Sequence, residues 1–253
     1  MTPTENIAYF NGELKPESQV SISIRDRGYL YGDAVFDATR TFNGAPFKLS
    51  QHIHRLYDSL RYLRIDVGME MDEMERWSRE VVQHNYPLLP PNQDLWVMQR
   101  ISRGLDSTGP DDRQGPTVLI ETHAIPFARR APLYMDGARV ITPSVPRIPP
   151  RFVSPRAKTH NYLNLILGDL EAQATEPDSW AVLLDENGNL TEGRGSNIFL
   201  VKDGVVATPQ GQFVLEGITR DTVIDLARGL DMLVEQKDID LFDAYTADEA
   251  FLT

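Results

Sequence analysis

Residues 34–66, AVFDATRTFNGAPFKLSQHIHRLYDSLRYLRID, change their hydrophobic period partway along. In AVFDATRTF, Phe36, Ala38 and Arg40 alternate with Val35, Asp37 and Thr39, so a strand here sets one trio on each face. An arginine thereby shares a wall with two residues of the kind that line pockets. From Leu49 onward the spacing becomes helical: Ile53, Leu56, Leu60 and Leu63 make one apolar stripe, with Ser50 as the candidate N-cap. A strand running straight into an amphipathic helix predicts a mixed α+β fold.

Outward from that stretch the same two periods recur. Val20, Ile22 and Ile24 alternate with polar residues in SQVSISIRDRG, which predicts a strand before it. After it, DEMERWSREVVQHNYPLL reads as a second helix stopped by Pro87, and DLWVMQRISRG and TVLIETHAI read as strands around the polar loop GLDSTGPDDRQGP. The pattern breaks in IPFARRAPLYMDG, where prolines and arginines cluster. This predicts an N-terminal α/β domain over 1–127, a linker over 128–133 and a C-terminal domain over 134–253, the small and the large domain of the fold expected below. The second half reads as strand ARVITPSV, helix NYLNLILGDLEAQA, strand WAVLLD, a turn at ENGN, a hairpin about Asp203-Gly204, a glycine-led helix at GITRDTVIDLARGL and strand material in YTADEAFLT.

The composition is that of an ordinary globular chain: 253 residues, 41% hydrophobic and 25% charged. A net charge of −12 repels phosphate backbones, and the arginines are scattered, which argues against a nucleic-acid partner. No apolar run has the length of a membrane helix and MTPTENIAYFNGEL is not a signal peptide, so a cytoplasmic protein is expected. With no cysteine, thiolate catalysis and cysteine-ligated metals are excluded. Chemistry must come from Lys, His, carboxylates, hydroxyls or a bound cofactor.

Read one by one, the candidates stay ambiguous. His52 and His54, two apart on a helix, point in different directions and do not make a metal pair. Arg55 sits beside the apolar stripe as a snorkelling arginine would. The glycine-led helix start GITRD suits an anion or is a plain helix start. Glu192 is either a turn carboxylate or a buried partner for a cationic nitrogen. Lys158, in SPRAKTHNYLN, is a solvated charge by base rate and a nucleophile only if buried.

Together, and in order, RGYLYGDAVFD, HIHRL, AKTHNYLN, LTEGRGSNIF with VKDGVV, and GITRD resemble the class IV, or fold-type IV, pyridoxal-phosphate aminotransferases, from about Tyr9 to Thr253. That family includes branched-chain and D-amino-acid aminotransferases, (R)-amine transaminases and aminodeoxychorismate lyase. The resemblance implies a two-domain fold and pyridoxal 5'-phosphate as cofactor. It also implies a homodimer or higher assembly, and a ping-pong Schiff-base transamination between an amino acid or amine and a 2-oxo acid. By the same resemblance Lys158 holds the cofactor aldehyde and shuttles the proton, and Glu192 pairs with the pyridine nitrogen. Arg55, Ile218 and Thr219 bind the phosphate, and Tyr162 bonds the phenolic oxygen. Tyr31, Phe36, Arg40, Trp96 and Met98 fall at substrate-pocket positions.

The family pattern breaks in two places. Trp96 and Met98 stand where branched-chain enzymes carry a tyrosine and an arginine, and STGPDDR lacks the arginine-x-histidine of the D-amino-acid enzymes. A substrate carboxylate is then left to Arg40, Arg100 or Arg113, or the donor is an amine without one. Family members also continue past the position of FLT with a phosphate-binding threonine loop, a strand and a helix. The large domain is therefore expected to be cut short at Thr253. The alternatives within this fold are an aminodeoxychorismate lyase-like enzyme and a catalytically inactive binding protein.

Overall fold

The computed structural model describes residues 5–106 and 115–253. The chain divides into two compact units, Met1–Pro132 with Ala157–Asn161, and Leu133–Arg156 with Tyr162–Thr253.

In the first unit, β1 (Ile7–Phe10) and β2 (Glu13–Pro16) form a hairpin whose turn places Asn11 and Gly12 at positive φ. A short helix α1 (Arg27–Tyr31) is capped by the Asp26 carboxylate, which accepts from the Gly28 amide. It ends at Gly32, whose φ of 68° reverses the chain directly into β3 (Ala34–Phe42). Next come β4 (Ala45–Pro46), α2 (Leu49–Leu63), α3 (Met71–Asn85), β5 (Leu95–Ser102) and β6 (Thr117–Ala124). Their antiparallel sheet has the order β2-β1-β6-β5-β3-β4.

Burial alternates along β3 and β5 as the period-two pattern requires. Val35, Val97, Ile101, Val118 and Ile120 join Ile53, Leu56 and Leu60 of α2 and Met74, Val81 and Val82 of α3 in one core. The opposite face is only half-buried. Register places Phe36 beside Arg100, Ala38 beside Met98, and Arg40 beside Trp96. The segment Ala157–Asn161 is added along β3: the Phe36 amide donates to the Lys158 carbonyl at 3.0 Å and the His160 amide to the Ala34 carbonyl at 2.9 Å.

Two expectations fail in this unit. Residues 20–24 form no strand; Ile22 and Ile24 are 48% and 78% exposed, and the alternation there has no partner strand to satisfy its backbone. Ser50 is not the N-cap of α2. Lys48 holds that position in the left-handed region, and the Ser50 hydroxyl instead donates to Glu75 on α3 at 2.7 Å. Residues 128–133, where a linker is expected, lie within the helix α4 (Phe127–Asp136), and the division between the units, after Pro132, falls inside them.

The second unit contains β7 (Val140–Ile141), α5 (Leu163–Thr175), β8 (Trp180–Ala181), β9 (Ile198–Lys202), β10 (Val205–Pro209), α6 (Ile218–Gly229), β11 (Leu233–Lys237), α7 (Leu241–Thr246) and β12 (Glu249–Leu252). ARVITPSV and WAVLLD contribute only two paired residues each, joined in parallel as β7 and β8. The Asp203-Gly204 turn, with φ of 49° and 78°, closes the β9–β10 hairpin as expected. β10, α6 and β11 form a parallel crossover in a sheet of order β11-β10-β9-β12. Its small core clusters gather Val182, Leu190, Ile198 and Leu200 on one side and Phe199, Val206, Ile224 and Ala227 on another.

Candidate active site

In the first unit the Lys158 backbone is tied down on both sides. Its amide donates to the Ser59 hydroxyl at 3.0 Å, and Ser59 donates to the Arg55 carbonyl at 2.9 Å. A bridge between Val35 and Thr159 completes the attachment to β3. The Lys158 ammonium lies 4.8 Å from the centre of the Phe36 ring, so the half-buried lysine occupies the open face of the sheet beside Phe36.

One turn before Ser59 on α2, the Arg55 guanidinium meets Asp37 in a two-pronged pair, Nε to Oδ2 at 2.9 Å and Nη2 to Oδ1 at 2.8 Å. His52 Nδ1 adds a contact of 2.8 Å to the same carboxylate. Asp37 is wholly buried. Burial alone pushes its carboxyl up, and the Arg55 cation and the bond from His52 more than reverse this, holding it well below the usual carboxylate range. Asp37 therefore fixes where the Arg55 guanidinium can point. It was not among the residues singled out from the sequence, although a carboxylate on the core face of a strand is the signal that finds it. His52 is thereby occupied as an orienting partner. Among the described residues no group of three or more His, Asp or Glu side chains is arranged to hold a metal.

Asp37→Asn is expected to remove the buried charge that pairs with Arg55 and to cost on the order of 3 kcal/mol. The depressed carboxyl contributes its full stability above the unfolded value of about 4, and loses that contribution as the pH falls below it. Urea unfolding between pH 7 and pH 3 should show this acid loss in the native protein and a diminished one in the variant.

The open face of the sheet collects four of the residues expected at substrate positions: Phe36, Arg40, Trp96 and Met98. Arg40 is engaged locally. Its Nε donates to the Thr41 carbonyl at 3.2 Å and its guanidinium stacks 3.8 Å from the Phe42 ring. Tyr31 stands apart on α1, 63% exposed, with its hydroxyl donating to Asp106 at 3.1 Å. The Phe36 ring also takes His160 edge-on at 5.4 Å and lies 5.6 Å from the Arg100 guanidinium carbon. Burial, with Arg100 adding to it, pushes the His160 imidazole down to about 4, so it is neutral near pH 7. A cavity of about 350 Å³ opens on this face, with Ile22, Ile24, Tyr29 and Leu119 as apolar walls and Arg100 and His160 in its lining. Most of the loop expected to contact substrate, residues 107–114 with Arg113, lies outside the described residues.

In the second unit Glu192 is buried at 5% exposure. Arg147 donates to its Oε1 from Nε at 3.1 Å and Nη2 at 2.9 Å, and the Leu215 amide donates to Oε2 at 2.8 Å. Arg147, distant in sequence and in no motif, was not legible as its partner. Tyr162 sits at the N-cap of α5 and packs against Leu165, Ala172, Ala181 and Leu183. α6 begins at Gly217, with no side chain capping the first amides. A Cβ there would press on the Asn197 side-chain oxygen, so a larger residue would have to displace that amide. Ile218 and Thr219 open this helix, and their amides make an N-terminus suited to an anion.

The sequence model of the family described as Amino-transferase class IV matches residues 34–253. A putative branched-chain-amino-acid aminotransferase of Methanocaldococcus jannaschii is 40% identical over 97% of this chain and 83% of its own length. D-alanine aminotransferase of Bacillus licheniformis is 29% identical over 96% of this chain and 83% of its own. Among solved structures, a T.th. branched-chain amino acid aminotransferase complexed with N-(5'-phosphopyridoxyl)-L-glutamate superposes with a TM-score of 0.86. It is 31% identical, covering 99% of this chain and 82% of that one.

Proposed function

Since the chain belongs to the class IV aminotransferases, we propose that it transfers the amino group of a branched-chain or other hydrophobic L-amino acid to a 2-oxo acid, with pyridoxal 5'-phosphate as cofactor. The observation that carries this reading is the placement of the Lys158 amine against Phe36, on a sheet face that also bears Trp96 and Met98.

The residues present suit that cofactor. Lys158 would hold its aldehyde carbon, the buried Glu192 carboxylate would face its ring nitrogen, and Tyr162 would bond its phenolic oxygen. Arg55, with the amides of Ile218 and Thr219, would take the phosphate; the glycine at the start of α6 leaves those amides uncovered by a capping side chain. When bound, pyridoxal phosphate supplies an electron sink for the charge left on the substrate Cα as its proton departs.

The chain's own contribution is to place groups and move protons. Lys158 takes the proton from the substrate Cα and returns one as general acid, and its backbone ties to Ser59 and β3 fix the position from which it does so. Asp37 orients Arg55, and Arg147 orients Glu192. Phe36, Trp96 and Met98 present an apolar wall to the donor side chain, which favours hydrophobic donors.

A half-reaction screen of the holoenzyme tests this reading. L-Leucine, L-isoleucine and L-valine are expected to convert the cofactor to its amino form faster than their D-enantiomers or (R)-1-phenylethylamine. A faster D-amino acid or (R)-amine reaction would overturn the donor assignment, and turnover without any 2-oxo acid would overturn transamination. We further propose a homodimer, supported by the apolar side chains exposed on α5, where Leu163, Leu167 and Leu170 are 63%, 46% and 59% exposed. Sedimentation equilibrium should return about twice the 28.6 kDa chain mass.

A further inference from the structure

Three arginines were candidates for a substrate carboxylate. Arg113 lies outside the described residues, and Arg40 is committed to the Thr41 carbonyl and the Phe42 ring. Arg100 is differently placed. Its side chain keeps 32% of its exposure, on the open face one register step from Met98. Its Nε donates to Glu121 Oε1 at 2.7 Å, and its Nη2 has Met98 Sδ, a weak acceptor, at 3.5 Å. The guanidinium is thus anchored through Nε, with Nη2 against a weak sulfur acceptor.

The neighbours of Arg100 connect it to the reacting lysine. Its guanidinium carbon is 5.6 Å from the centre of the Phe36 ring, and the Lys158 ammonium is 4.8 Å from the same centre. The two cations share one aromatic ring. Arg100 and the neutral His160 also line the 350 Å³ cavity, between its apolar walls and a polar side formed by Ser23, Thr117, Ser102 and Asp26, the last two joined by a hydrogen bond. A donor reacting at Lys158 would carry its α-carboxylate two bonds from the reacting nitrogen, beside the same ring that Arg100 approaches.

We infer that Arg100 is the substrate-carboxylate anchor of this chain, a specificity-determining residue held in place by Glu121. This rests on the transaminase reading above. The guanidinium offers a planar pair of donors to a carboxylate, and the apolar cavity walls raise the strength of that pair by excluding water. Glu121 acts against the incoming anion as well as positioning its partner. His123 Nε2 lies 3.3 Å from the same Glu121 oxygen, so the carboxylate is shared between the two. Either the α-carboxylate or a side-chain carboxylate offers the required chemistry, and the choice of ligands below separates them.

Calorimetric titration of the holoenzyme with 4-methylvalerate and with glutarate tests the inference without relying on turnover. Arg100→Leu is expected to weaken binding of at least one acid by about tenfold to a hundredfold, Arg100→Lys to weaken it less, and Glu121→Gln to tighten it about two- to fivefold. Loss of both acids marks an anchor for the α-carboxylate; loss of glutarate alone marks one for a side-chain carboxylate. Unchanged affinity of Arg100→Leu for both acids, or no binding of either acid to the native holoenzyme, overturns the inference. A misfolded variant is recognised by the loss of the cofactor's bound absorption band, and Arg100→Lys then carries the comparison. The native enzyme's transamination of L-leucine with 2-oxoglutarate is measured alongside; its absence would sink the functional reading, whereas normal turnover with unchanged acid binding sinks only the anchor.

Discussion

Lys158→Ala should reduce kcat by about ten-thousandfold or more, because one side chain is proposed both to hold the cofactor and to move the Cα proton. The fold should survive the change. The Lys158 backbone supplies the bonds to Ser59 and Phe36, and these do not depend on the side chain. The variant should retain phosphate-dependent affinity for the cofactor through Arg55 and the start of α6 while losing the absorption band of a lysine-bound aldehyde. Absorption spectra of native and variant protein, titrated with pyridoxal phosphate and then with L-leucine, separate these properties. A variant that keeps both the band and the turnover would assign the chemistry to another amine.

Removing Glu192 should have the second-largest effect, and should act in two ways. Glu192→Gln keeps the size and an acceptor for Arg147 but removes the negative charge proposed to face the ring nitrogen. A loss in kcat of about a hundredfold to a thousandfold is expected, with a much smaller change in KM. Glu192→Ala also strands the Arg147 guanidinium, which is 8% exposed, and should cost about 3–5 kcal/mol in chemical denaturation. Adding Arg147→Met to Glu192→Ala should restore much of the stability, since the uncompensated charge is gone, while kcat stays low. Recovery of activity in the double variant would show that the carboxylate serves structure alone.

What could be read before the fold was seen followed from the length of each periodic run. β3, α2, α3, β5 and β6 each repeat their pattern long enough to state it, and Asp203-Gly204 specifies its own hairpin. Residues 20–24 alternate as a strand does, yet alternation describes a side-chain pattern and cannot supply a hydrogen-bonded neighbour. β7 and β8 pair over two residues, too short for any period to register, and β11 pairs in parallel with a strand on the far side of α6. The Ser50 hydroxyl reached a carboxylate on the next helix, a tertiary alternative that local capping preference does not weigh.

The same distinction governs the site. Lys158, Arg55, Glu192, Tyr162 and the GITRD turn stood out as motif positions, while the groups that orient them did not. Asp37 lies eighteen residues before Arg55, and Arg147 lies forty-five before Glu192. Only folding brings either pair together. Asp37 did leave a trace, as a charge on the buried face of an otherwise apolar and hydroxyl-bearing row. Arg147 left none, because PRIPPRF has no period from which to deviate. Arg100 is one of several arginines in the sequence, and its distinction from Arg40 comes from what each guanidinium already touches.

β3 carries Phe36 and Asp37 side by side, one toward the open face and one into the core. Successive residues of this strand thus serve two masters, so its reading frame is part of the enzyme. Inserting or deleting a single residue between Ala34 and Thr41 would exchange the two sides, turning an aromatic ring into the arginine's berth and a carboxylate toward the substrate. Chain-length changes there should be tolerated poorly, whereas substitutions at 36, 38 and 40 should alter the wall proposed to face the donor and leave the Arg55 anchorage intact. Libraries aimed at new donors belong on those even-numbered positions, with the length of the strand kept fixed.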